Sequence, residues 1–192
     1  MNSIVKLAKA SVAILLVALA AASASAADLQ KIEDRLAIEE MYARYVYALD
    51  TADADAYAGL FIKDGFLSIG GEPYNGRDAI HKVIAALRDR PAFKSIPVDT
   101  HGRRFSHVRH VVTSFKVDIK GDIATAESFW MEVKANGKDP EGLGFAPTVL
   151  NMGRYEDELV KQGGQWLFAK RIVVGDMVSK PRRSDKDPPA TY

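Results

Sequence analysis

Phe105–Ile119 reads FSHVRHVVTSFKVDI, and this stretch decides the fold class. In its second half the apolar Phe115, Val117 and Ile119 alternate with Lys116 and Asp118, the pattern of a strand with one face on a core. Its first half carries His107, Arg109 and His110 ahead of Val111 and Val112. A strand that begins with imidazoles and continues as scaffold is a place for acid–base chemistry. Strict alternation puts His110 on the face of Lys116 and Asp118, and His107 with Arg109 on the face of Phe115 and Val117. A bulge between Val112 and Ser114 would bring His110 to the apolar side, and bulges occur beside active sites. Two candidates therefore stand, His110 with a bulge and His107 without one, beside a third reading in which the histidine is exposed at a strand end.

Downstream of this strand, Lys120-Gly121-Asp122 is a hairpin turn and Ile123 to Lys134 a long second strand. Asn136 to Pro147 is rich in glycine and proline and reads as a wide loop. Thr148 to Val160 and Gln165 to Val174 are two further strands joined by Lys161-Gln162-Gly163-Gly164. Upstream, Leu29, Ile32, Leu36, Met41, Tyr45 and Leu49 recur at helical steps, predicting one long amphipathic helix over 28–50. Asp53 or Asp55 is placed to cap a short helix over Ala56 to Phe61. Gly65 to Ile69 reads as a strand, and Asp78 as the cap of a helix from Ala79 to about Arg88. Pro91 to Arg104 lacks a period and is long enough for a lid. Helices first and a meander of strands after them make an α+β domain without internal repeats.

Met1 to Ala26 reads as a signal peptide: Lys6 and Lys9, an apolar run from Ala10 to Ala22, then Ala24-Ser25-Ala26 as the cleavage site. The alternative is an uncleaved anchor, although the run is shorter than the ~20 residues of a spanning helix. The expected mature chain is exported, most simply to the periplasm, with no stable membrane insertion. A domain over 27–178 and a disordered tail over 179–192, dominated by charge and proline, complete it. The chain has 26 basic and 25 acidic residues; without Lys6 and Lys9 the balance is 24 to 25. That balance gives no electrostatic reason to expect nucleic acid as partner. The absence of cysteine excludes thiol nucleophiles and thiolate metal sites. No phosphate-binding glycine loop, nucleophile elbow or HExxH is present, and His81 and His101 stand alone in the sequence.

The ordered motifs RYxxxxD (Arg44, Tyr45, Asp50), DxxAYAGLF, NGRDAI, RHVVTSFKV, GDIATAESFW and GRYEDELVKQGGQW resemble the SnoaL-like branch of the nuclear-transport-factor-2-like superfamily. The resemblance spans Asp28 to Asp176. It implies a cone, in which a curved antiparallel sheet wraps three N-terminal helices and encloses an apolar pocket. It also implies chemistry by an aspartate–histidine pair, often with a tyrosine and an arginine, without metal or organic cofactor. Dehydratases, a dehydrochlorinase, polyketide cyclases and formaldehyde-releasing lyases of lignin-derived compounds belong to the family, as do members that only bind or scaffold.

On this resemblance His110 is the base and Asp50 its partner. The family spacing His-x-x-x-Asn is met by His110 and Ser114, with serine in place of asparagine. Asp50 also stands out on physical grounds, because a carboxylate at a helix C-terminus gains nothing from the helix dipole. Tyr45 is a candidate proton donor, with Tyr42, Tyr47 and Tyr57 as weaker ones. Arg154 is a candidate oxyanion binder. His107, Tyr57, Ser114 and one of Phe129 and Trp130 are candidate substrate contacts, and Trp166 reads as core. The expected activity is a cofactor-independent lyase, with isomerase or cyclase chemistry close by, acting on a small apolar, aromatic or lignin-derived molecule by dehydration, elimination or retro-aldol release of formaldehyde. The alternatives are a non-catalytic binding module and a dimerisation domain of the same fold; a homodimer or homotrimer is expected.

Overall fold

A computed structural model describes residues 28–135, 137 and 146–176. The signal peptide and tail read from the sequence lie outside the described residues, as does most of the 136–147 loop. The first helix, α1, occupies residues 28–50. It is followed by α2 (Ala54–Gly59), β1 (Phe61–Ile69), β2 (Glu72–Asn75), α3 (Arg77–Arg88) and the single turn α4 (Pro91–Lys94). Four long strands complete the domain: β3 (Val108–Lys120), β4 (Ile123–Lys134), β5 (Thr148–Gln162) and β6 (Gln165–Gly175). With β1 and β2 they form one curved six-stranded sheet in the order β2-β1-β6-β5-β4-β3. The architecture is α+β, as the alternation and helix periods predict. The sheet is mixed rather than wholly antiparallel, because β6 returns beside β1 in parallel. Two runs on opposite sides of a helical segment can pair in parallel only through a crossover, and here the crossover contains everything from β2 to β5.

Local chemistry sets the element boundaries. Asp53 caps α2 by accepting from the Ala56 N–H at 3.0 Å. Asp78 does not cap α3; it lies in the first turn, and the N-cap is Gly76 at φ +80. Glycine adopts that conformation without strain, and the Gly76 N–H donates to the Gly65 carbonyl at 2.7 Å. The neighbouring Arg77 donates to the Phe61 carbonyl, so NGRDAI fastens α3 to β1. In GRY, a Cβ at Gly153 would lie 1.9 Å from the Val174 carbonyl oxygen, which demands glycine between β5 and β6. The segment read as long enough for a lid begins with α4, and after it the Asp99 carboxylate accepts from the backbone of His101 and Arg103 and pairs with the Arg103 side chain.

The helices fill the concave face of the sheet. Ile38, Tyr42, Tyr45, Tyr57, Phe61, Leu67, Ile80, Ile84, Tyr155 and Phe168 are almost wholly buried. Trp166 joins them and donates to the buried Asp34 at 2.9 Å. The centre of this core contains a charge. Arg171, with no exposed surface, makes two parallel bonds of 2.8 and 2.7 Å to Asp157. Its guanidinium lies 4.0–4.6 Å from the ring centroids of Tyr42, Tyr45, Tyr155 and Phe168. Tyr42 also donates to Asp157. A bidentate pair with cation–π faces is the arrangement that makes a buried guanidinium tolerable. Removing only the anion leaves that charge uncompensated, so Asp157→Ala is expected to cost about 3–5 kcal/mol. Urea unfolding should show this loss, and the double replacement Asp157→Leu with Arg171→Met should cost less than the single one.

Candidate active site

Within β3 the burial alternation changes phase. Val108, His110 and Val112 face inward, and so do Phe115, Val117 and Ile119. The change occurs at Ser114, which adopts φ +57, and the β3–β4 register skips between Thr113 and Lys116. This is a bulge: one extra residue turns the first half of the strand over relative to the second. His110 therefore faces the helices, and His107 does not. His107 is exposed beside a separate hollow lined by Phe105, Arg109 and Pro147.

Asp50, at the end of α1, meets His110 directly. The His110 ring Nδ1 lies 2.6 Å from Asp50 Oδ1, and the His110 backbone N–H donates to Oδ2 at 3.2 Å. The Asp50 carbonyl in turn accepts from the Ser106 N–H at 3.0 Å. Helix end and strand start are thus held by one residue, which the helix dipole would not itself favour at that position. The other ring nitrogen, Nε2, lies 3.3 Å from Oε1 of Glu132. Glu132 is the direct β4 neighbour of His110.

An imidazole between two carboxylates is biased toward its charged form. Burial opposes that charge, but the hydrogen bonds and negative charges of Asp50 and Glu132 outweigh it, and His110 is pushed up to about 9. At neutral pH it is an imidazolium, hydrogen-bonded to Asp50 and paired with Glu132. The sign follows from linkage: a group raised from 6.5 to about 9 stabilises the fold fully below pH 6.5, and the contribution disappears as pH rises through about 9. Its size is on the order of 3 kcal/mol. Urea denaturation across this range should show stability falling with pH, and Glu132→Gln should shrink both the window and the loss.

His110 and Glu132 line a cavity of about 880 Å³, and Asp50 stands behind His110. Its walls are apolar, from Leu49 of α1, Val83, Ile84 and Leu87 of α3, Trp130 of β4 and Val173 of β6. Its buried polar groups are Tyr45, Tyr57, Tyr155 and Ser68. Tyr57 donates to the Tyr45 hydroxyl at 2.7 Å, and Tyr45 also shares a hydrogen bond with Tyr155. Burial raises Tyr57 well above the usual phenol range and keeps it a donor. Among the described residues no group of three or more His, Cys, Asp or Glu side chains is arranged to hold a metal ion.

Of the residues singled out in the sequence, the structure brings Asp50, His110, Tyr45, Tyr57 and Trp130 together. Four others lie elsewhere. Arg154 is on the outer face of β5, 46% exposed, paired with Glu156 at 2.9 Å and Asp176 at 3.8 Å. Strand alternation demands this, because the adjacent Tyr155 points inward. Phe129 is on the outer face of β4, since Trp130 takes the inner one. Ser114 forms the bulge and is exposed, and His107 precedes the strand. Of the weaker tyrosines, Tyr42 is core and Tyr47 is exposed. His81 does not stand alone; its Nε2 lies 3.0 Å from Asp55 at the surface. Glu132 was not anticipated. Ala126, Ser128 and Trp130 are buried and Glu132 half-buried on one face of β4, and this period-two series carries the signal.

A curved mixed sheet folded over helices, with an aspartate–histidine pair at the border of an apolar cavity, defines the class of cone-shaped α+β proteins built around a single internal pocket. Residues 30–172 match the model of the SnoaL-like domain, and the chain belongs to this family of the nuclear-transport-factor-2-like superfamily. The family includes dehydratases and polyketide cyclases. Among solved structures, Rv3472 from Mycobacterium tuberculosis, a protein of unknown function, is similar at 29% identity and TM-score 0.59, covering 79% of this chain and 76% of that one. A candidate scytalone dehydratase from Novosphingobium aromaticivorans is 26% identical with TM-score 0.58, covering 78% and 88%. ActVI-ORFA from Streptomyces coelicolor shares the fold at 20% identity and TM-score 0.60, covering 77% and 98%. No curated protein matches the chain.

Proposed function

We propose that this chain is a cofactor-independent lyase that acts on a small, largely apolar, aromatic molecule by acid–base elimination. The observation that carries the reading is that His110, held by Asp50, lines with Glu132 an apolar cavity that also holds the paired hydroxyls of Tyr45 and Tyr57. The similarity to a candidate scytalone dehydratase supports the same class of reaction.

An imidazolium at His110 favours roles other than that of a simple histidine base. Nδ1–H is held by Asp50, and Nε2–H faces Glu132 and the cavity. Glu132 is then the base. It takes a proton from the carbon next to a carbonyl, and the released electron pair forms the new double bond. The carbon–oxygen bond on the adjacent carbon breaks, and the departing hydroxyl takes the Nε2 proton of His110 and leaves as water. The proton on Glu132 returns to His110, its neighbour at 3.3 Å, and the site is reset. Tyr45, with Tyr57 donating to it, stabilises negative charge on the carbonyl oxygen. Retro-aldol release of formaldehyde uses the same groups: Glu132 takes the hydroxymethyl proton, the carbon–carbon bond breaks, and His110 protonates the carbanion.

General acid–base groups contribute about 10²–10⁴ in rate. Incubation with a panel of aromatic hydroxy-ketones, alcohols and diols, with products read by mass, should reveal loss of water or of formaldehyde. Glu132→Gln and His110→Asn should each lower turnover by factors in that range, and the rate should fall as pH rises through about 9. A folded Asp50→Ala, His110→Ala double variant with full turnover would overturn the proposal.

A further inference from the structure

We propose that the substrate carries a carboxylate, and that Arg90 at the cavity mouth is the residue that selects it. This rests on the reading of the cavity as the substrate site. Arg90 is exposed and lines that cavity between α3 and α4. Its backbone is fixed from both directions. Its N–H donates to the Leu87 carbonyl at 3.3 Å, and its carbonyl accepts from Phe93 and Lys94 at 3.0 and 3.1 Å. Pro91 restricts it to the extended conformation that it adopts at φ −63, ψ 134. The position is pre-set while the guanidinium is unused.

The other arginines show how unusual that is. Those at 35, 77, 103, 104, 109, 154 and 171 each meet a carboxylate or a carbonyl. Among the described residues, the guanidinium groups of Arg44, Arg88 and Arg90 meet neither, and of these three Arg90 alone lines the cavity. The carboxylate that lines the cavity, Glu132, is directed at His110. The local field reinforces the point. Lys94 is neutralised by Asp89 and Arg103 by Asp99; Arg88, Arg90 and Arg104 then stand against Asp53 alone, which leaves this corner net positive. At the reacting groups the balance is opposite: Asp50 and Glu132 against one imidazolium sum to one negative charge. An anionic group is repelled by those carboxylates and drawn to Arg90, so the same charges that bind it also orient it. The apolar residues of the shared cavity take the body of the molecule.

The test uses a matched pair, naphthylacetate and its neutral analogue naphthylethanol, titrated calorimetrically into the whole protein. The wild type should bind the carboxylate roughly tenfold more tightly, since a charge-assisted arginine contact is of that order, and added salt should narrow the gap. Arg90→Gln should abolish the preference while leaving the affinity for the alcohol unchanged, and Arg90→Lys should retain part of it. Equal affinities in the wild type, binding of neither compound, or a preference that survives Arg90→Gln would overturn the proposal. His110→Asn separates this from the lyase reading, because it should keep the preference. Carboxylate selectivity without turnover of any substrate would count against the lyase alone, and turnover confined to uncharged substrates would count against Arg90 alone.

Discussion

The structure depends on how one buried carboxylate is satisfied. Asp50 terminates α1 where the helix carbonyls already present negative charge, and it is 6% exposed. A buried acid there requires donors, and it obtains them from a single residue, His110, through both the main-chain N–H and the ring. That demand fixes the start of β3 against the helix end. The rest of β3 must still put Phe115, Val117 and Ile119 on the core, and the two requirements have opposite parity. Ser114 resolves the conflict by taking the left-handed conformation and absorbing one residue. The bulge is therefore a consequence of anchoring Asp50 and of packing the strand at once.

A second constraint keeps the cavity rigid. Arg171 and Asp157 occupy the centre of the core, and the rings of Tyr45 and Tyr155, which line the cavity, lie over the guanidinium at 4.0 and 4.1 Å. Tyr45 cannot turn away without uncovering a buried cation, so its hydroxyl is held beside Tyr57. A hydroxyl fixed by packing can act on a developing charge without first being reoriented. Rigidity in the core and acidity at the cavity edge thus come from separate ion pairs.

Much of this was legible in the chain itself, wherever a local rule was enough. The long helix over 28–50 and the β3–β6 meander follow from periodicity, whereas turn chemistry left Asp53 and Asp55 both open as the cap of α2 and alternation left the bulge near Ser114 as one of two alternatives. What needed long-range pairing was not legible. The parallel contact of β1 with β6 joins segments some hundred residues apart, and no local pattern distinguishes parallel from antiparallel partners for a short strand. Arg154 fits a motif but sits one residue from the inward Tyr155, so alternation alone could have excluded it. Glu132 becomes visible only once the β3–β4 register is known, because it is half-buried and its meaning comes from the residue opposite it. Arg90 was hidden for a similar reason: its significance lies in a partner that is missing, which only the surrounding structure defines.

The central claim is that His110 is held as an imidazolium between two carboxylates. Nitrogen-15 NMR of the histidine rings at neutral pH tests it most directly. Both ring nitrogens of His110 should be protonated, and the ring should lose its proton only as pH approaches about 9. A neutral His110 ring at neutral pH, with one nitrogen unprotonated, would contradict it and return the histidine to the role of base.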